Sequence, residues 1–147
     1  MMKRTLLEPP PPRRGDLGQS AVEFALVAPV LLVFIMFMVD VAFLGFNYVS
    51  ATNAVREGAR CGAIGGSNGA ITTRVTTTAG SLSSAITFPT PIARGTTIGS
   101  DVTVSAHFVY KMLTPVNMLP GLTLGDIPFD KAATMRMETA APYDKTC

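Results

Sequence analysis

The sequence predicts an α+β fold in which one long N-terminal helix crosses a membrane and then packs on a small antiparallel β-sheet. Three features predict it. Residues 24–39 carry no charge, residues 47–64 continue without a helix breaker, and residues 101–112 alternate apolar and polar side chains. A chain of 147 residues has room for one domain. The part outside the anchor, roughly 80 residues, is small enough to gain from a staple or from packing on a helix. Three segments follow: 1–18 as a cytoplasmic leader, 19–66 as the transmembrane and extended helix, and 67–147 as an extracytoplasmic β domain.

The leader holds Lys3, Arg4, Arg13 and Arg14 against Glu8 and Asp16, whereas Lys and Arg balance Asp and Glu over the rest of the chain. Basic residues before an apolar run place that end in the cytoplasm. With no basic stripe beyond the leader and no Trp, a nucleic-acid partner is not expected.

The apolar run extends from Phe24 to Val39 and, past Asp40, through Val41–Phe46. About 23 residues are enough to cross a bilayer at about 1.5 Å each. A secretory signal has a shorter core of about 7–15 residues and a small-residue cleavage site after it, so this segment reads as a retained membrane anchor. Pro29 removes a backbone donor and is expected to kink or locally unwind the helix. Glu23 stands immediately before the run, where a carboxylate needs either a partner or the headgroup layer.

Beyond the anchor, Asn53, Arg56, Glu57 and Arg60 share one face of the predicted helix Gln19–Ile64. Ala51, Ala54, Val55, Gly58, Ala59 and Gly62 share the other. The spacing of Ala54, Gly58 and Gly62 admits close approach of another backbone. That backbone belongs either to this chain's own sheet or to a neighbouring subunit's helix. Each interior glycine costs about 1 kcal/mol against alanine, which implies a compensating contact.

Gly65 and Gly66 end the helix. A short helix is expected over 69–79, with Asn68 as its cap, because Ile71, Val75, Ala79 and Leu82 recur at helical spacing although the threonines favour strand. Residues 85–88 offer a first strand, followed by the break at 89–91. In residues 101–112, Val102, Val104, Ala106, Phe108, Tyr110 and Met112 face one way, the pattern of a half-buried antiparallel strand. Residues 128–139 supply its partner, with Phe129, Ala133, Met135 and Met137 on one face. The connection between them, about a dozen residues, is too long for a tight hairpin.

No catalytic set emerges, so an enzyme is not expected, and no cofactor or metal is implied. His107, the single histidine, falls on the polar face of its strand as a solvent-facing residue without a second ligand at metal spacing. GAIGGSNG follows a helix and lacks the lysine of a phosphate-binding loop. Cys61 and Cys147 are the only cysteines. Outside the cytoplasm a bond between them would tie the end of the long helix to a distant part of the chain. That intramolecular bond is the preferred arrangement, with an intermolecular bridge and two free thiols left open.

The run Gly18–Leu32, GQSAVEFALVAPVLL, resembles the class III processing site and anchor of the Tad (Flp) branch of the type IV pilin superfamily. Asn53 and Arg56–Arg60 (Arg56, Glu57, Gly58, Ala59, Arg60) resemble the NxxREGAR helix of TadE-like minor pilins and pseudopilins, and Ala133–Thr139 is similar to their last strand. The resemblance implies a pilin-like fold and cleavage between Gly18 and Gln19 by a prepilin peptidase. It also implies a mature chain with Glu23 fifth and Phe24 sixth, and assembly with other pilin subunits on the Tad platform. Gly15 is a second candidate glycine, but cutting there would place Glu23 eighth. In the family the glutamate pairs with a neighbouring subunit's new N-terminal amine. The alternative kept beside that pairing is a Glu23 that sits at the headgroup level and marks the membrane boundary. The alternative to a pilin is a bitopic membrane-anchored envelope protein with a partner-binding outer domain.

Overall fold

A computed structural model describes residues 14–89, 91–113 and 125–147, with side chains described from residue 18. Leader residues 1–13 and most of the long connection, 114–124, lie outside the described residues. The elements in chain order are α1 (Arg14–Ala63), α2 (Asn68–Ala79), a 3-10 turn (Gly80–Ala85), β1 (Ile86–Thr87), β2 (Ala93–Arg94), β3 (Asp101–Tyr110) and β4 (Ile127–Arg136).

Helix α1 begins five residues before the expected Gln19, so the described end of the leader is continuous with the anchor. Pro29 lies inside it without dividing it. The glycine pair ends α1 through a Schellman arrangement. Gly66 N donates to Cys61 O at 2.9 Å and Gly65 N to Gly62 O at 3.1 Å, while Gly65 takes φ +91°, a left-handed conformation costly to any residue with a Cβ.

The cap of α2 is Ser67, not Asn68. Its Oγ accepts from Ala70 N at 3.1 Å, the bond of an N-cap to the third helical residue. Asn68 is the first helical residue and its side chain is taken by Arg94. The threonines do not divert this segment into a strand. Thr72, Thr76 and Thr77 return their hydroxyls to the carbonyls four residues back at 3.2, 3.1 and 2.8 Å, so each is satisfied within the helix. Burial of Ile71, Val75 and Ala79 against α1 then decides the conformation.

Strand β3 is the hub of the sheet. It pairs antiparallel with β4 along its whole length, from Asp101↔Arg136 to Tyr110↔Ile127. Its other edge takes β1 at Phe108 and His107, and β2 at Val102 and Thr103. Strict alternation buries Val102, Val104, Ala106, Phe108 and Tyr110. Met112, expected to extend this row, lies beyond the strand. Strand β4 alternates more cleanly than its sequence implies, with Phe129, Ala133 and Met135 turned inward. β2 was not anticipated. It is two residues long, secured by Gly95 N donating to Asp101 O at 3.1 Å and by Arg94 Nη1 donating to Gly66 O at 2.9 Å.

The core lies between the outer half of α1, α2 and the inward face of β3. It is built from Ala51, Ala54, Val55, Ala59, Ile71, Val75, Leu82, Val104, Ala106 and Phe108. Small residues on α1 bring α2 and β3 close. A Cβ at Gly58 would stand 2.4 Å from Val75 Cγ2. One at Gly62 would stand 2.8 Å from Val102 Cγ2. The smooth face of the helix is therefore occupied by this chain's own α2 and sheet.

Candidate assembly site on the N-terminal helix

From Val22 to Val49 the surface of α1 is a continuous apolar column with its large side chains exposed. Helix α1 is long and apolar enough over its described part, Gly18–Ala63, to cross a membrane. The candidate processing pair stands at the foot of this column. Gly18 is helical, with nothing within 4 Å of a Cβ built on it, and Gln19 follows one residue later. Gln19 Nε2 donates to Glu23 Oε1 at 3.1 Å, one turn along the same face. Glu23 and Phe24 are both exposed, so the carboxylate is open to a further donor.

The second acidic residue of the anchor behaves differently. Asp40 is 1 % exposed, and its Oδ1 accepts from Tyr110 Oη at 3.0 Å and from Leu113 N at 2.8 Å. Both donors come from the end of β3 and the residues just after it. Burial raises the Tyr110 pKa above its ordinary value of 10, and the hydrogen bond to Asp40 and the carboxylate's charge act in the same direction. Two turns further, buried Asn47 donates from Nδ2 to Phe43 O at 2.9 Å and accepts from Ser81 Oγ at 3.1 Å. Tyr48 carries Phe129 at 5.8 Å between ring centroids and Lys131 Nζ at 3.3 Å from its own. A ladder of polar and aromatic contacts thus fastens the 3-10 turn and the sheet to α1 from Asp40 upward. The apolar pattern alone assigns Asp40 no partner. The available signal was that it is the sole charge between Glu23 and Arg56.

The Asn53 and Arg56–Arg60 motif divides by face. Asn53, Arg56 and Arg60 are exposed, Gly58 and Ala59 are buried, and Glu57 pairs with Arg74 of α2 at 3.5 Å. An ion pair this exposed contributes little stability, so within the chain the motif acts mainly through its glycine and alanine. Ala54, Gly58 and Gly62 are all buried in the core.

Cys61 and Cys147 are joined in a disulfide. Gly66 lies against it, where a Cβ would meet Cys61 Sγ at 2.4 Å and Cys147 Sγ at 2.7 Å. The residues leading to Cys147 are stitched down as well. Ser67 N donates to Lys145 O at 3.0 Å, Lys145 N to Gly65 O at 3.2 Å, and Tyr143 Oη to Gly95 O at 2.6 Å beneath the Arg94 guanidinium. No sequence pattern pointed to these hydrogen bonds. His107 is partly exposed on the outer face of β3 and meets Asp130 across the strands at 2.8 Å. Among the described residues, no three His, Cys, Asp or Glu side chains gather as a metal site.

The model of the TadE-like protein family matches residues 18–60, from the candidate processing glycine through the Arg56–Arg60 motif. The resemblance read from the sequence holds over that stretch. No curated protein and no solved structure gives a significant match to the chain.

Proposed function

We propose that this chain is a minor pilin or pseudopilin of a Tad (Flp) pilus assembly system, a structural subunit and not an enzyme. The carrying observation is that the TadE-like match covers the candidate cleavage site, the exposed apolar column and the docked helix motif as one unit. The precursor waits in the inner membrane with its basic leader in the cytoplasm and its sheet domain outside. A prepilin peptidase cuts between Gly18 and Gln19. Cleavage frees an amine four residues before the Glu23 carboxylate, and each is costly alone at the edge of hydrocarbon. An ammonium of one subunit against Glu23 of the next offsets much of that cost. The subunit then joins other pilin subunits at the assembly platform through the lower half of α1.

Mass spectrometry of the N-terminus, from cells with and without the prepilin peptidase, tests the reading. Gln19 should be the first residue only when the peptidase is present. The same N-terminus in both cells rejects the pilin reading and leaves a bitopic envelope protein.

A further inference from the structure

The anchor is too short to end where its first outer charge stands. Phe24–Val39 is sixteen residues, about 24 Å of helix, whereas a hydrocarbon core of about 30 Å takes about 20 residues. Counted from Glu23, hydrocarbon reaches about Phe43, roughly 5 Å of helix past Asp40. The helix surface agrees with that count. Val41, Phe43 and Phe46 are exposed, and no charge follows Asp40 until Arg56.

A bare carboxylate costs about 2.5–3.5 kcal/mol at the centre of the bilayer and a part of that this close to its edge. Asp40 is instead covered by Tyr110 Oη and Leu113 N. Those two donors stand at the same level of the helix as the carboxylate they bind. The end of β3 therefore reaches down to a height at which the helix is still lipid-compatible. At that tip Leu113 is 68 % exposed and Lys111 is also exposed.

We infer that the Tyr110–Leu113 tip of the sheet domain is a second membrane contact, seated in the outer boundary between headgroups and acyl chains. Leu113 enters the lipid, and Lys111 lays its stem along it with the ammonium among the phosphates, as long basic side chains do at interfaces. Lipid is the occupant because the tip is continuous with the lipid-facing surface of α1 and pairs an apolar side chain with a cation. The inference rests on α1 being the membrane anchor.

The chain has no tryptophan, so a single introduced one is an unambiguous probe. Full-length Leu113→Trp, Lys111→Trp, Phe34→Trp and Ile98→Trp would each be reconstituted in phosphatidylcholine and phosphatidylglycerol vesicles. The vesicles would carry lipids brominated at shallow or deep acyl positions. Phe34→Trp in the middle of the span should lose most emission to deep bromines. Leu113→Trp should be blue-shifted and lose most emission to shallow ones, with Lys111→Trp quenched in the same order but less. Ile98→Trp, exposed near the opposite end of β3, should be unaffected. Failure of Phe34→Trp to be quenched would refute the anchor itself. If Phe34→Trp is quenched while Leu113→Trp and Lys111→Trp emit like Ile98→Trp, the domain stands clear of the bilayer and the inference falls. A blue-shifted but unquenched Leu113→Trp would put protein over the tip and overturn it too.

Discussion

Adding one methyl group at Gly58 should separate a helix face used inside the chain from one kept for a neighbour. In Gly58→Ala the new Cβ would lie 2.4 Å from Val75 Cγ2, with Ile71 Cγ2 and Val104 Cγ1 at 3.5 and 3.6 Å. Val75 is fully buried and β-branched, so its methyl cannot simply swing aside. Overpacking of this kind costs about 1–3 kcal/mol. Better helix propensity returns about 1 kcal/mol, leaving a net loss of up to about 2 kcal/mol. For a domain of 60–100 residues each kcal/mol moves Tm by about 4–8 °C. The assay is thermal unfolding of the full chain in detergent micelles, with Gly45→Ala as control, since nothing lies within 4 Å of a Cβ there. Gly58→Ala should melt several degrees lower and Gly45→Ala should not. Val75→Ala added to Gly58→Ala should destabilise less than the two single losses summed, because the second change opens the space the first needs. A Gly58→Ala protein as stable as the parent, defective only in joining other subunits, would refute the packing argument.

Three further outcomes follow from the contacts above. Cys147→Ser, or reduction, removes a link across 86 residues; the chain-entropy model assigns that about 4–5 kcal/mol, so reductant should lower Tm sharply in the parent and leave Cys147→Ser unchanged. Tyr110→Phe removes one donor to Asp40 and should cost about 1–3 kcal/mol at neutral pH. Because the folded Tyr110 pKa is raised above 10, the unfolded tyrosine gives up its proton first as pH rises. The stabilisation is therefore whole below about pH 10 and is lost as pH climbs toward the folded value. The Tm gap between parent and Tyr110→Phe should accordingly shrink above pH 10, and a constant gap would contradict the raised Tyr110 pKa. Glu23→Ala should insert and be cleaved normally yet fail to assemble, as read by pilus yield; normal pili would leave Glu23 as a boundary residue.

The long helix and the two long strands were legible because their periodicities are strong and their burial is one-sided. The β3 alternation buries every second side chain from Val102 to Tyr110, which is what a half-buried strand dictates. Helix α2 was harder, since threonine propensity and apolar spacing disagreed, and burial of Ile71 and Val75 settled it. Strand β2 and the hydrogen bonds of Tyr143 and Lys145 were not legible. Two residues have no period, and Ala93–Arg94 owes its place to Gly66 and Asn68, which lie 28 and 26 residues from Arg94 in sequence. Asp40 shows the same limit. Its position in the apolar run was plain, but its donors lie 70 and 73 residues away, beyond the reach of any local pattern.

The unbroken run of α1 from the anchor into the core carries a mechanical consequence. The sheet domain is fastened to α1 at Asp40, Asn47 and Tyr48 and through the core from Ala51 onward, with no loop between span and domain. Torque applied to the membrane-spanning turns is delivered directly to the sheet. One residue inserted between Val39 and Asp40 would turn the whole domain by about 100° relative to the anchor's lipid face and lift it by about 1.5 Å. The compass bearing of the domain about the helix axis is thus set by counting residues.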